Sequence, residues 1–574
     1  MSTALEAASL IMVPSGYSDG MLGSVKPTDG SGNFTFTRGT DIGATRVAAD
    51  GYIEKGYENL LLQSNSFTTS PWLQTDASVT AGQSGYNGST DAWLLNKSAA
   101  NGRVRQVFSL RGVVTTSVYA KAGASNWLRL TFANYTFFDL INGVVGDTNA
   151  IDSTITSLGN GWYRCTITSN ATYDDFAQIF PAEDGSTSSI SGSIYIQDAQ
   201  INQGLVAMPY LPTTTTTSVG GILANQPRID YTGGGCGSLL LEGSRTNLIT
   251  NSEYLNGWNK YLATAEFDGA IINPNRTSGA YKVVSNGASN APNIRYNNIV
   301  LSGNYSYSVF VKAGNAESML FGFDDYDGDK VFMRFNFSTN VLTEYIDNNN
   351  KVTGYDLETF DNGWYRLWVN VNLANATYND IYLMVRNLDN SVVDAGDYFY
   401  AWGTQLEAGA YPTSLIPTYG TSVTRSFDKI GDSIIPSFND NNEFTFFFDL
   451  YRIGVGSDSI ASAYEFRADN YATNFVMWVD SPSAQIRFRD ALNGYANMGG
   501  VIPFLAGTNK KIAISCDGVT FKTFVNGSLI HSYNVVNQFS INRLYQYAKA
   551  INKKQYLNFP TALTDAECIA LTTI

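Results

Sequence analysis

The feature that most constrains this chain is the pentapeptide Asn-Gly-Trp-Tyr-Arg, which occurs at residues 160–164 and again at residues 362–366. Matching segments also precede and follow each copy in the same order, for example residues 117–123 and 308–314. The distance between matching segments grows slowly along the chain. This pattern is typical of two copies of one module whose loops have lengthened in the second copy.

Each pentapeptide predicts a β-strand that leaves a tight turn, because Asn-Gly readily adopts the positive φ of a hairpin turn. Successive side chains of a strand point to opposite faces. In the second copy Leu367, Val369 and Val371 therefore share one face, which we expect to be core. The other face carries Trp364, Arg366, Trp368 and Asn370, and its counterpart in the first copy carries Trp162 and Arg164.

Composition and length favour an all-β protein of several domains. The chain has 574 residues, more than one hydrophobic core usually organises. Only 15% of the residues are charged, while 52 glycines, 35 tyrosines and 32 phenylalanines are typical of many short strands joined by turns. Two of the domains are the repeats.

Several classes of function are disfavoured by composition. The net charge of −14 is opposite to the basic surface that nucleic acids require. No run of eighteen apolar residues predicts a membrane span, and the first residues lack the basic region of a secretory signal, so we expect a protein made in the cytosol without a cleaved leader.

The four cysteines lack CxxC spacing and are expected to be buried thiols. With His531 as the single histidine, we expect no His-based zinc site or Ser-His dyad, and no cofactor.

We predict four consecutive regions. Residues 1–56 form an N-terminal segment that either caps the first repeat or acts as a docking arm. Residues 57–220 form the first repeat, and residues 221–427 contain a lead-in and the second repeat. Residues 428–574 form a terminal domain, with a hairpin at Asn526-Gly527 and a final helix opened by a capping box of Thr564 and Glu567.

Several stretches of sequence resemble two known families. Glu242-Gly-Ser-Arg-Thr-Asn, the repeated pentapeptide and the ending Gln405-Leu-Glu-Ala-Gly-Ala-Tyr-Pro resemble the carbohydrate-binding-module-like jelly rolls of tailed-phage structural proteins. The Asn526-Gly527 hairpin and residues 557–567 are similar to laminin-G or concanavalin-like domains. The resemblance implies tandem β-sandwich (jelly-roll) modules followed by a concanavalin-like sandwich. The first repeat departs from the pattern, because Asn202 takes the place of Glu407.

The polar face of the repeated strand is our candidate carbohydrate-binding site. Sugar recognition needs an aromatic surface for the apolar side of a pyranose and planar polar groups for its hydroxyls. The candidate residues are Trp364, Arg366, Trp368, Asn370, Trp162 and Arg164. The alternative is structural: the Trp-Arg pair would be a buried cation-π clamp or part of a subunit interface.

Other chemistry is less well supported by the sequence. The acidic turn Asp324–Asp329 could hold calcium through carboxylate oxygens, although its glycine is too early for the helix-loop-helix calcium motif, and a solvated turn is the simpler interpretation. No pair of carboxylates at a defined spacing, nucleophile elbow or metal signature points to catalysis, so we predict no catalytic or metal residues.

The sequence and its resemblance lead to one functional hypothesis with named alternatives. The chain is predicted to be a structural component of a bacteriophage virion, a fibre or appendage protein that attaches to host-surface polysaccharide without catalysis. Its expected partners are other virion proteins and itself, as the homotrimer that the resemblance to fibres implies. The alternatives are a purely structural head or tail decoration protein, a cell-surface lectin or adhesin, and a glycan depolymerase.

Overall fold

The protein is nearly all β, as predicted. The computed structural model describes residues 6–573, apart from residues 15, 19, 233, 288, 326–327, 329, 435–442, 453–460, 468–472, 481–484, 506, 537–538, 540, 542 and 547–550. The helix Asp565–Thr572 ends the chain. Short 3-10 turns lie at Leu255–Gly257, Asp361–Gly363 and Ala491–Asn493.

The first repeat is a sandwich of two antiparallel sheets. One sheet has the strand order Asp152–Gly159, Trp162–Ala171, Gly112–Ala122, Gly192–Gln203, Ala92–Lys97 and Ala77–Gln83. The other has the order Val144–Thr148, Asn134–Asp139, Trp127–Phe132, Asp175–Ala182, Arg103–Phe108 and Leu73–Thr75. Their facing side chains form one core, which includes Val118, Leu128 and Ile167.

The second repeat has the same design, but two long strands run through both of its layers. Its strand order is Ala263–Ile272, Ser278–Asn286, Ala395–Ala408, Asn293–Ala313, Trp364–Arg386, Ser318–Asp325, Lys330–Asn336 and Val341–Asp347. Asn259–Tyr261 adds to Asn293–Ala313, and Val352–Phe360 adds to Trp364–Arg386. These two receiving strands have 21 and 23 residues, where the first repeat uses two shorter strands for each.

The terminal sandwich draws strands from three parts of the chain. One sheet has the order Arg228–Asp230, Ser238–Leu241, Ile551–Phe559, Glu443–Arg452, Asn509–Asp517, Thr520–Val525 and Ser528–Asn534, with Leu10–Met12 also on Ile551–Phe559. The other has the order Tyr17–Ser18, Met21–Leu22, Phe34–Thr37, Lys429–Ile434, Arg543–Gln546, Ala461–Arg467, Thr473–Asp480, Gln485–Asp490 and Ala496–Pro503.

Three two-stranded ribbons lie where the modules begin and end. Tyr57–Asn59 pairs with Ser218–Gly220, which closes the first repeat. Arg245–Asn247 pairs with Val423–Arg425 in the same way for the second repeat. The third ribbon joins Thr45–Val47 to Ile53–Lys55.

The strands of the N-terminal segment complete the terminal sandwich, which the predictions for this segment did not include. Its role as a docking arm stays a prediction. Leu10 pairs with Asn558, and Phe36 pairs with Ile430. The strand Phe34–Thr37 alternates buried and exposed residues, and its phenylalanines enter the terminal core. An apolar face of this kind is stabilised when it packs on a hydrophobic core. The core that it joins here is built mainly from residues several hundred positions later in the sequence.

Three predictions made from local sequence patterns are confirmed. Asn526 and Gly527 have φ values of +46° and +79° in the predicted hairpin turn. Thr564 and Glu567 form the predicted capping box. In the second repeated strand, Leu367 and its alternate neighbours face the core.

A buried ion cluster joins the second repeat to the terminal sandwich. It consists of Arg38, Arg228, Glu242, Arg425 and Asp428, whose side chains are at most 2% exposed. Glu242 lies 2.7 Å from Arg228 and 3.0 Å from Arg425, and Asp428 contacts Arg38 at 3.2 Å and also Arg228. These residues come from the N-terminal segment, the lead-in and the end of the second repeat, so the cluster fixes how these three segments meet.

Candidate functional site

The face of the repeated strand that was named as a candidate carbohydrate-binding site is largely covered. Trp364 is fully buried, and its indole N–H donates to the carbonyl of Ile272 at 2.9 Å. Trp162, Arg366 and Asn370 are also buried. Trp368 and Arg164 are half-buried. The expectation of an exposed indole is therefore corrected for Trp364 and Trp162, since other aromatic and aliphatic side chains pack over both.

The arginine of the motif is a clamp in the second repeat. Arg366 Nη2 donates to Ser308 Oγ at 3.1 Å and to the carbonyl of Thr413 at 2.6 Å. Its guanidinium carbon lies 5.5 Å from the centre of the Phe310 ring. The arginine thereby ties its own strand to the neighbouring strand and to the loop at residues 412–415.

The first repeat has the same clamp. Arg164 Nη2 donates to Ser117 Oγ at 3.2 Å and to the carbonyl of Met208 at 2.6 Å, and its guanidinium carbon lies 5.5 Å from the Tyr119 ring. Two independent copies with matching donors, acceptors and ring distances support the structural alternative for this pair of side chains.

An asparagine organises the same region in each repeat. Asn247 Nδ2 donates to the carbonyls of Thr404 and Ile416, and its Oδ1 accepts from the amides of Ile249 and Leu406. These four bonds span 2.9 to 3.1 Å. The corresponding Asn59 makes the same four bonds, to Leu61, Ala199, Ile201 and Leu211.

A buried glutamine repeats the pattern once more. Gln405 Oε1 accepts from the amide of Ile416 at 2.6 Å, and Gln200 Oε1 accepts from the amide of Leu211 at 2.9 Å. We call the arginine, asparagine and glutamine of each repeat its hydrogen-bond frame. Buried polar groups need partners of this kind, so the frame explains why these residues occur twice without any ligand.

A candidate site lies where the second repeat meets the terminal sandwich. We call it the junction cavity; its volume is about 570 Å³. It opens beside the loop at residues 412–415, and Arg366 is the one candidate from the repeated strand that lines it. Glu358 and Phe360 of the second repeat also line it. The remaining walls come from the lead-in, the N-terminal segment and the terminal sandwich, which contributes Tyr451 and Lys554.

Glu358 and Arg366 give the junction cavity its polar wall. They are paired across adjacent strands, and their side chains therefore share a face. The carboxylate lies 3.9 Å from Arg366 Nη1, and the Glu358 side chain remains 36% exposed. Burial raises the pKa of Glu358 above its usual value, although Arg366 opposes that shift.

Aromatic side chains also line the junction cavity. Phe310 and Phe360 pack edge to face with ring centres 5.2 Å apart. Lys554 Nζ lies 5.7 Å from the Tyr451 ring. A carboxylate, a guanidinium and an ammonium group beside aromatic rings can hydrogen-bond several hydroxyls and cover an apolar ring face.

A smaller cavity occupies the related position beside the first repeat. Its volume is about 360 Å³, and Met208 and Pro209 line it. The residue paired with Arg164 is Thr156, which is exposed. The first repeat therefore has no carboxylate at the position that Glu358 holds in the second.

The remaining sequence expectations have mixed outcomes. Part of the acidic turn at 324–329 lies outside the described residues, and the carboxylate of Asp324 pairs with Lys330 at 2.9 Å. Among the described residues, no group of three or more His, Cys, Asp or Glu side chains could hold a metal ion.

No helix in the described part of the chain is long and apolar enough to cross a membrane. Three cysteines are buried, but Cys236 is exposed at the wall of the junction cavity.

Sequence reasoning missed most of the junction cavity. Tyr451 and Lys554 come from the terminal sandwich, and no periodicity links them to the repeat. Glu358 was within reach of prediction, because a hairpin around Asn362-Gly363 pairs it with Arg366.

Comparisons with known proteins give distant similarities. No protein-family model and no curated protein sequence matches the chain. Among solved structures, the CBM40 of the Ruminococcus gnavus IT-sialidase is 14% identical, with 23% of this chain and 82% of that chain covered and a TM-score of 0.19. The CBM22-1-CBM22-2 tandem domain of Paenibacillus barcinonensis Xyn10C is 13% identical, with 65% and 98% covered and a TM-score of 0.21.

A mutant of Trypanosoma rangeli sialidase displaying trans-sialidase activity is 9% identical, with 98% of this chain and 92% of that chain covered and a TM-score of 0.21. The similar structures thus include carbohydrate-binding modules.

Proposed function

We propose that this protein is a structural component of a bacteriophage virion, in a fibre or appendage, and that it binds host-surface polysaccharide without catalysis. The observation that carries the binding function is the junction cavity, where Glu358 and Arg366 stand opposite Tyr451 and Lys554. Planar carboxylate and guanidinium groups suit vicinal hydroxyls, and aromatic rings suit the apolar face of a sugar.

The state of the acidic groups supports binding rather than hydrolysis. Glycoside hydrolysis usually needs two carboxyl groups that flank the scissile bond. Besides Glu358, Asp230 and Glu242 line the junction cavity. Asp230 accepts hydrogen bonds from backbone amides at 2.8 and 3.2 Å, and Glu242 is held between two arginines of the ion cluster. Glu358 is left as the one carboxylate of the three that is not occupied in this way.

The virion assignment is supported by the sequence resemblance described above. A homotrimer would present three junction cavities to one cell surface, and several weak sugar contacts would then add to strong attachment. Immunogold labelling of phage particles with an antibody against the chain tests the location. Label on fibres or appendages is expected, and label confined to a bacterial envelope would favour the lectin or adhesin alternative.

The binding function is tested with immobilised capsular polysaccharides and lipopolysaccharides from candidate host bacteria. We expect Phe360→Ala and Tyr451→Ala to weaken binding by about tenfold, the value of one aromatic contact. Tyr355→Ala is the matched control, because Tyr355 lies on the strand of Phe360, is 40% exposed and does not line the junction cavity.

Circular dichroism establishes that each variant folds. Binding of the parent to no polysaccharide, or equal binding by the folded cavity variants, would contradict the proposed function. Release of reducing sugar from a bound polysaccharide would favour the depolymerase alternative.

A further inference from the structure

The outer face of the terminal sandwich carries two arginines beside an aromatic pair. Trp478 is paired with Arg487 on the next strand, and Arg489 is paired with Asn497 on the strand after that. Directly opposed residues of an antiparallel pair share a face. Their neighbour Phe488 points into the terminal core, so this face is the outward one.

The aromatic pair is built by an unusual turn. Gly494 and Tyr495 both adopt left-handed backbone conformations, with φ values of +55° and +59°. A bulky residue such as Tyr495 rarely adopts this conformation, because its side chain then crowds the backbone. The turn places the Tyr495 ring on Trp478, with ring centres 5.3 Å apart and an interplanar angle of 26°. Tyr495 nevertheless remains 47% exposed.

The described part of this face carries two neighbouring positive charges. The chain carries a net charge of −14, yet Arg487 and Arg489 lie two residues apart on one strand. Arg489 lies 5.8 Å from the Trp478 ring centre and forms no ion pair with an acidic group among the described residues. Burial and the neighbouring Arg487 both lower the pKa of Arg489, so an anion placed here would relieve an unfavourable charge.

One further polar group faces the same place. Asn497 Oδ1 is buried and has no hydrogen-bond partner in the described part of the chain. A buried acceptor of this kind is costly unless a donor reaches it. A sugar hydroxyl can supply that donor, which a sulfate or chloride ion cannot.

We infer that Tyr495, Trp478, Arg489 and Asn497 form a binding site for an acidic saccharide. The sugar ring packs on Tyr495, its carboxylate or sulfate group meets the Arg489 guanidinium, and a hydroxyl donates to Asn497. Guanidinium groups bind two oxygens of a carboxylate or sulfate group through paired hydrogen bonds, which gives the site its preference for charged sugars. This site is separate from the junction cavity and binds a different class of glycan.

The experiment is calorimetric titration of the full chain with trigalacturonate, with a sulfated galactan oligosaccharide and with the neutral maltotriose. We expect an acidic sugar to bind at least about tenfold more tightly than maltotriose, with a preference that weakens as salt is raised. Tyr495→Gly should weaken acidic-sugar binding about tenfold while folding normally, because glycine adopts the left-handed conformation without strain.

Two further variants separate the ring from the charge. Tyr495→Phe should bind like the parent, since it keeps the ring. Arg489→Gln should bind acidic and neutral sugars alike. Failure of the parent to bind either acidic probe, or unchanged binding by Tyr495→Gly, would overturn the inference. Loss of acidic-sugar binding in Glu358→Gln would also overturn it, because the ligand would then lie in the junction cavity.

Discussion

The two repeats hold the same strand in the same hydrogen-bond frame but surround it differently. In the second repeat Arg366 faces Glu358 and lines a cavity of about 570 Å³. In the first repeat Arg164 faces the exposed Thr156, and the neighbouring cavity is about 360 Å³. The same hydrogen-bond frame is therefore compatible with a glutamate or a threonine opposite the arginine and with a larger or a smaller neighbouring cavity.

A second difference lies in the lead-ins. Glu54 and Glu242 each stand five residues before the frame asparagine. Glu54 pairs with Arg46 at the surface, and its side chain is 46% exposed. Glu242 belongs to the buried ion cluster and is 2% exposed. Glu54 therefore lies in an exposed ion pair, whereas Glu242 joins the second repeat to the terminal sandwich.

These comparisons indicate that the residues shared by the two repeats are those required for folding. The frame residues recur because each sandwich must satisfy the same buried backbone groups. The residues that differ between the copies, Glu358 and Glu242 above all, are the ones that give the second repeat its cavity and its fixed place in the molecule.

The largest expected effect comes from the lead-in glutamates. Glu242→Gln should lower the free energy of unfolding by about 3 to 5 kcal/mol, because it removes the carboxylate that pairs with the buried Arg425 and leaves Arg228 with Asp428 alone. Glu54→Gln should cost at most about 1 kcal/mol, as for an exposed ion pair. Differential scanning calorimetry of the two variants measures this contrast, and equal costs would break the comparison.

The same contrast should depend on pH. The ion cluster holds the pKa of Glu242 at about 2, below the value of 4.5 expected in the unfolded chain. Its contribution is therefore fully present above pH 4.5 and is lost as the pH falls towards 2. The stability gap between the parent and Glu242→Gln should narrow by roughly 3 kcal/mol over this range. Denaturant titrations at stepped pH follow the gap, and a constant gap would contradict the assigned role.

The frame should behave alike in both repeats. Asn59→Ala and Asn247→Ala each remove four buried hydrogen bonds, so each should cost about 2 to 4 kcal/mol. Hydrogen exchange read by mass spectrometry should show faster exchange in the mutated repeat alone. A large cost in one repeat and a negligible cost in the other would show that the frames are not equivalent.

How far the sequence predicts the structure depends on the range of the contacts. The alternating strand after Asn362-Gly363, the Asn526 hairpin and the Thr564 capping box all rest on contacts within a few residues, and all three were predictable. The position of Phe36 in the terminal core was not predictable from the sequence. Phe36 pairs with Ile430, which is distant in sequence, because a large hydrophobic core lies there, and a local pattern does not encode such a contact.

The candidate site was predicted only in part for a related reason. Periodicity identified which residues share a face with Arg366, but it does not say what packs on that face. Trp364 is covered by residues that include Ile53 and Leu415. Tyr451 enters the junction cavity from another sandwich. Contacts between modules leave no signal in the spacing of either module.

The most direct measurement exchanges the residue that distinguishes the two repeats. Polysaccharide binding should be compared for the parent, Glu358→Thr and Thr156→Glu, each shown to fold by circular dichroism. We predict that Glu358→Thr weakens binding by about tenfold, the value of a charge-assisted hydrogen bond, and that Thr156→Glu leaves it unchanged. Undiminished binding by Glu358→Thr would contradict the claim that the second repeat presents the glycan site.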